Sequence, residues 1–202
     1  MIVKVCGINN QMALDALTDL SIDMIGLNFY PPSKRYLSHA LDFKAFPSDV
    51  TRVGVFVNES EEEILKLSRI HSLDFAQLHG DESLEFCKAL SKEVAVIKVF
   101  RLSENIPQID WEQYAFASYL LFDKNDPKYG GSGKKFNWDI LQSYSGNIPF
   151  ILSGGIGPED AKIISELKHP LFQGVDINSK FESSPGTKDP KMVNEFLNSL
   201  KN

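Results

Sequence analysis

The chain has 202 residues, 43% of them hydrophobic and 24% charged, which is enough apolar material for a sizeable core in a single domain expected to span residues 1–202. A formal net charge of −6 without any basic run argues against nucleic acid as a partner, and the lack of an N-terminal signal or long apolar span argues against a membrane. The two cysteines, Cys6 and Cys87, lie far apart with no C-x-x-C spacing, which suits a reduced, cytoplasmic protein rather than a disulfide framework.

In chain order, the first β-branched run is IVKVC (2–6), ending on Cys6 directly before Gly7. From its position alone that thiol is core filling, half of a disulfide, a metal ligand or a catalytic base. DMIGLNF (23–29) leads into a loop, YPPSKR, that carries Arg35. RVGVFV (52–57) precedes SEEEILKLSRIH, where Ile64, Leu65, Leu67 and Ile70 recur at helical spacing behind Glu61 to Glu63, which favour a first helical turn. DFAQLH (74–79) ends on His79 and is followed by GDESLEFCKAL, a helix expected to bury Cys87. VAVIKVF (94–100) leads to Arg101, and SYLLFD (118–123) ends on Asp123. PFILSGG (149–155) ends on Ser153, Gly154 and Gly155 before the helical GPEDAKIISELKH. FQGVDINS (172–179) presents Asp176, Asn178 and Ser179, and the helical DPKMVNEFLNSLKN follows.

Alternation of strand and helix at roughly 25 residues per unit predicts a parallel α/β sheet with right-handed crossovers, and eight units favour closure into a (βα)8 TIM barrel. No Gly-x-Gly-x-x-Gly follows the first strand, which weakens a dinucleotide-binding alternative. In such a barrel the chemistry sits at the carboxyl ends of the strands. Cys6, Asn28, Asn58, His79, Arg101, Asp123, Ser153 and Asp176 therefore form a candidate polar ring. No cluster of His, Cys and carboxylates has metal-site spacing.

The segments KVCGI, GLNFYPPSKR, VGVFVN, QLHGDE, LLFD, GGSGKKFNW, ILSGGI and GVDINSKFESSPGTKD occur in one order between residue 3 and about residue 190. In that order they resemble the phosphoribosylanthranilate isomerase family of tryptophan biosynthesis. The resemblance implies an Amadori rearrangement of N-(5-phosphoribosyl)anthranilate to 1-(o-carboxyphenylamino)-1-deoxyribulose 5-phosphate. It also implies a small phosphorylated sugar as substrate, no metal or organic cofactor, and a monomer or weak homodimer. It assigns Cys6 as general base and Asp123 as general acid.

Both roles need help from their surroundings. A free thiol titrates near about 8.5, so a useful thiolate needs a nearby cation, for which Lys4, two residues earlier on the same strand face, is the candidate. An ordinary aspartic acid titrates near about 3.9, so Asp123 needs burial or a neighbouring carboxylate, which Asp176 supplies if the two converge. The alternative is an interior ion pair with Lys4 or Lys98. Arg35 is placed to grip the anthranilate carboxylate with its guanidinium fork, the alternative being a solvated loop arginine.

The phosphate is expected between SGGI (153–156) and DINSKFES (176–183), with Gly154, Gly155, Asn178 and Ser179 presenting donors. Here the chain departs from the approximate family pattern S-S-G-V-E, since Lys180 stands where glycine is expected. Lys180 either draws the phosphate or points to solvent. GGSGKKFNW (130–138) reads as a mobile lid or as a surface connection, and it is not a phosphate-binding P-loop because Lys135 occupies the required Ser/Thr position. His79 orients substrate or water, or else packs as a hydrogen-bonded histidine. Two other functions stay open from sequence: a different phosphosugar-converting barrel enzyme, and a non-catalytic phosphosugar-binding barrel.

Overall fold

A computed structural model describes residues 1–125 and 135–201. Eight parallel strands follow one another around a closed barrel: β1 (Ile2–Cys6), β2 (Met24–Asn28), β3 (Thr51–Phe56), β4 (Phe75–Leu78), β5 (Ala95–Leu102), β6 (Tyr119–Lys124), β7 (Phe150–Leu152) and β8 (Phe172–Ile177). β8 pairs back onto β1, with Lys4 opposite Asp176. The strands lie where the β-branched runs predict them. β7 stops at Leu152 rather than running to Gly155, because Gly154 and Gly155 adopt φ of +89° and +70°, a left-handed backbone that leaves the sheet.

Alternation of side chains along the strands divides the apolar residues into two groups. Met24, Val53, Ile97, Val99, Leu121 and Ile151 fill the barrel interior, while residues such as Val96, Leu120, Phe122 and Leu152 belong to the layer outside it. Two positions beyond Leu121, Val99 and Ile151, on the same faces, come Asp123, Arg101 and Ser153. Packing in the middle of each strand thus aims the polar residue at its end into the barrel mouth.

Among the described residues five α-helices accompany the strands: α1 (Gln11–Asp15), α2 (Glu61–His71), α3 (Leu84–Leu90), α4 (Ala161–Glu166) and α5 (Pro190–Leu200). α2 starts where Ser60 accepts a hydrogen bond from the Glu63 N–H, and α5 where Asp189 accepts from Lys191 and Met192 behind Pro190. Cys87 is fully buried on α3, as its place in the sequence predicts.

The helical segments expected between all strands are not all present. Between β2 and β3, residues 29–50 form turns and no helix. Pro31, Pro32 and Pro47 remove backbone donors and disfavour helix before them, and Leu37, Phe46 and Val50 cover the barrel there instead. The described residues between β5 and β6 and between β6 and β7 contain only the 3₁₀ turns Trp111–Tyr114 and Trp138–Ser143. That flank is sealed by rings meeting edge to face: Trp111 against Phe100, Phe122 and Tyr144, and Tyr144 against Phe150.

After β8 a 3₁₀ turn, Ser179–Phe181, runs into an antiparallel hairpin of β9 (Glu182–Ser184) and β10 (Thr187–Lys188). Its turn uses Pro185 and Gly186, the latter at φ +87°. Among the described residues no helix is long and apolar enough to cross a membrane. Residues 130–134 of the segment read as a lid lie outside the described residues.

Candidate active site

Cys6 ends β1 as a free, buried thiol. Beside it lies the bare backbone of Gly26 on β2, where a Cβ would stand 2.6 Å from Sγ and 3.0 Å from Lys4 Nζ. A side chain at position 26 would therefore displace the thiol. Burial pushes the Cys6 thiol above its ordinary value, while Lys4 and Lys188 pull it down and Asp176 pushes it further up.

Lys4 does share the strand face with Cys6, but its charge has another partner. Lys4 Nζ donates to Asp176 Oδ1 at 2.9 Å, and both side chains are almost wholly excluded from solvent. Burial opposes the Lys4 charge, but Asp176 and Cys6 outweigh it and hold the ammonium above its usual pKa. Burial pushes the Asp176 carboxyl up against the pull of Lys4, and the charge of Asp123 adds to the rise. The two carboxylates thus converge as the sequence suggests, and the ion pair offered as the alternative is also present, on Asp176. Lys98 instead pairs with Glu82 at 2.7 Å and donates to the Gly80 carbonyl at 3.2 Å.

Asp123, at the end of β6, is 7% exposed. Its Oδ1 accepts the Lys124 N–H at 2.7 Å, and its Oδ2 stands 3.1 Å from His79 Nε2. His79 Nδ1 lies 3.2 Å from the Gln77 side-chain nitrogen. A Cβ on Gly154 would approach Asp123 Oδ1 to 2.8 Å, so this glycine is where the β7 loop closes on the carboxylate. His79 is thus both packed and in contact with the candidate acid.

Arg35 is not a solvated loop arginine. Its Nε and Nη2 make a two-pronged bond to Glu182, with Nε–Oε1 at 2.9 Å and Nη2–Oε2 at 2.6 Å. The same carboxylate accepts from Lys188 Nζ at 2.5 Å and from the Gly186 N–H at 3.2 Å. Lys188 Nζ also donates to Asn178 Oδ1 at 2.7 Å. Gly7, at φ +82°, permits this assembly to close over Cys6, since a Cβ there would stand 2.5 Å from Arg35 Cδ and 2.8 Å from Asn178 Oδ1.

In the loops expected to hold phosphate, Gly154 and Gly155 turn at positive φ after β7, and after β8 the Asn178 side-chain oxygen is engaged by Lys188. Lys180 Nζ donates to the exposed Glu159 at 3.3 Å, and Glu159 is shared with Lys135 at 3.2 Å. Sequence reasoning missed Glu182, Lys188 and Gln77 as site residues. For Glu182 a signal existed, because in NSKFE it is, with Ser179, where the chain keeps the S-S-G-V-E pattern. Gln77 lies on the inward face of β4 two positions before His79, a register that periodicity supplies.

The family profile described as N-(5'phosphoribosyl)anthranilate (PRA) isomerase matches residues 3–199. An N-(5'-phosphoribosyl)anthranilate isomerase of Phocaeicola vulgatus is 41% identical, covering 100% of this chain and 98% of its own. The crystal structure of phosphoribosyl anthranilate isomerase from Thermus thermophilus superposes with a TM-score of 0.83 at 29% identity, covering 100% of this chain and 98% of that one. The enzyme from Thermotoga maritima does so with a TM-score of 0.79 at 33% identity, covering 100% and 99%. A closed eight-stranded barrel with a buried thiol and a buried carboxylate at its mouth, matched along nearly its whole length, places this chain in the N-(5'-phosphoribosyl)anthranilate isomerase family.

Proposed function

We propose that Cys6 and Asp123 are the base and the acid with which this chain carries out the rearrangement of N-(5'-phosphoribosyl)anthranilate. Asp123 donates a proton to the furanose ring oxygen as the C1–O bond breaks, leaving an iminium at C1. The Cys6 thiolate then removes the proton from C2, and that electron pair forms the C1–C2 double bond while the C=N pair returns to nitrogen. The resulting enol loses its hydroxyl proton and gains one at C1, giving the ketose. Aspartate and cysteine together supply the proton transfers, each worth about 10²–10⁴-fold.

The observation that carries these assignments is that one buried carboxylate, Asp176, lies within electrostatic reach of both groups. Asp176 pushes the Cys6 thiol up and is itself pushed up by the charge of Asp123, which supports thiol and acid working on one substrate at the barrel mouth. Arg35 receives the anthranilate carboxylate with the Nη1 and Nη2 edge that Glu182 leaves open. Gly154, Gly155 and Ser179 receive the phosphate through backbone N–H groups, with Asn178 positioned beside them. His79 orients Asp123.

The experiment is the loss of anthranilate fluorescence on mixing the protein with freshly generated phosphoribosylanthranilate, run beside Cys6→Ala and Asp123→Asn checked for folding. Turnover by the parent and losses of orders of magnitude in both variants are expected. Activity surviving either substitution removes that residue's role.

A further inference from the structure

Two cations act on Cys6 from different elements, and only one of them has its charge consumed within its own pair. Lys4 on β1 is matched by Asp176 on β8 at 2.9 Å. Lys188 on β10 shares Glu182 on β9 with Arg35 from the loop after β2. Arg35, Lys188 and Glu182 together hold two positive charges against one negative. One net positive charge therefore stands beside Gly7, the residue after the thiol.

Lys188 is an ammonium in this setting. Its Nζ has three acceptors, Asn178 O at 3.4 Å, Asn178 Oδ1 at 2.7 Å and Glu182 Oε1 at 2.5 Å, and a neutral amine would turn its lone pair onto one of them. Burial, with Arg35 beside it, holds the Lys188 pKa below its ordinary value against the upward pull of Glu182 and Cys6. Its side chain is wholly buried, so its field is weakly screened.

We propose that Lys188 is a positioning residue for the proton transfer at Cys6: with Glu182 shared between it and Arg35, it leaves a surplus positive charge that stabilises the thiolate. The inference rests on Cys6 acting as the base. The groups facing the thiol are Lys4 from its own strand, Asp176 from β8, Lys188 from β10 and Arg35 from the β2 loop, with Glu182 behind the last two. Lys4 and Asp176 act on the thiol in opposite senses, and the surplus charge of the second group adds to the pull of Lys4 against burial.

The same arrangement links substrate recognition to the base. Glu182 holds one edge of the Arg35 fork, and Lys188 offsets that carboxylate, so Arg35 keeps its attraction for the anthranilate carboxylate. Removing Lys188 neutralises the cluster; removing the Glu182 charge makes it more positive. The two changes move Cys6 in opposite directions, which a merely structural role does not do.

The test is a pH titration of thiolate ultraviolet absorbance in a Cys87→Ser background, with the Cys6→Ser protein as the blank. It is run on the parent, Lys188→Met, Lys188→Arg and Glu182→Gln, beside the pH dependence of kcat/KM. In Lys188→Met the Cys6 midpoint and the rising limb of kcat/KM are both expected to move to higher pH. Near neutral pH kcat/KM then falls about tenfold, a deficit that shrinks as pH is raised. Lys188→Arg restores the midpoint towards that of the parent.

Glu182→Gln moves the midpoint to lower pH while raising KM, and it reports on the proposal even if Lys188→Met folds poorly. Unmoved midpoints, shifts of the same sign in Lys188→Met and Glu182→Gln, or a loss of activity independent of pH each overturn the proposal. Midpoints that move as expected while the kcat/KM profile stays fixed overturn Cys6 as the base and leave the charge placement standing.

Discussion

Around Cys6 the barrel mouth gathers Lys4, Arg35 and Lys188 and sets Asp176 and Glu182 among them, whereas the described contacts of Asp123 are the His79 ring and the Lys124 N–H. One side is a network of charges with a positive surplus; the other is a carboxylate held by a backbone donor with an imidazole ring beside it. The difference matches the opposite demands of the two steps. A thiol that must give up its proton gains from fixed positive charge, while a carboxyl that must hand one over is better without a permanently charged cation clamped to it.

The contrast breaks most severely at Lys4. Lys4→Met leaves Asp176 buried without its partner, and a loss of about 3–5 kcal/mol in urea unfolding is expected. The Lys4→Met, Asp176→Asn double variant, which removes both charges, recovers most of that loss. Next come two glycines, one on each side. Gly26→Ala drives a methyl against Cys6 Sγ and the Cys6 backbone, and Gly154→Ala drives one against Asp123 Oδ1 and the Lys124 N–H at an unfavourable φ. Each costs about 1–3 kcal/mol, with kcat falling further than stability accounts for. Equal kcat to the parent in either variant removes the close approach from the mechanism.

Arg35→Lys keeps the charge but loses the fork to Glu182, so KM rises about tenfold while kcat changes little. Changes of pH separate the groups more gently. Burial holds the Cys6 and Cys87 thiols above their ordinary value, so as pH rises the unfolded chain releases those protons first. Their contribution to stability is intact below the unfolded thiol range near about 8.5 and is lost as pH climbs from there toward the folded values.

Glu182 shows the opposite sign. Burial works to raise it, but Arg35 and Lys188 outweigh that and hold it below its usual range. Its contribution is present above the unfolded glutamate value near about 4.3 and is lost as pH falls through the folded one. Thermal melts across pH check both limbs. The smallest effect is at the surface pairs around Glu159, where Glu159→Gln removes one partner of Lys180 and one of Lys135, which keeps Asp160, and changes stability by less than about 0.5 kcal/mol.

Strand order and closure were legible because the β-branched runs and their spacing follow from local sequence. Helices α2 and α5 were legible because their caps, Ser60 and Asp189, and their apolar periodicity agree. The flank from β5 to β7 was not, since Trp111, Tyr144 and their neighbours seal it by ring contacts between distant segments that no local period encodes. The strand ends carrying Cys6, His79, Asp123 and Asp176 could be read from register, because side-chain alternation decides which of them faces inward. The partner of Arg35 could not. Glu182 lies 147 positions away, and only closure of the barrel brings the hairpin after β8 over the loop after β2.

Lys4 and Asp176 are separated by 172 positions, and Lys188 lies beyond both. During synthesis Cys6 is made well before the segments whose groups govern its proton. Closure of β8 onto β1 is a contact of high sequence separation, formed at a large loop-entropy cost. An incomplete chain can therefore expose a thiol but cannot form the environment that makes it a base, so chemical competence arrives with the last strand pairing rather than accumulating as the barrel grows.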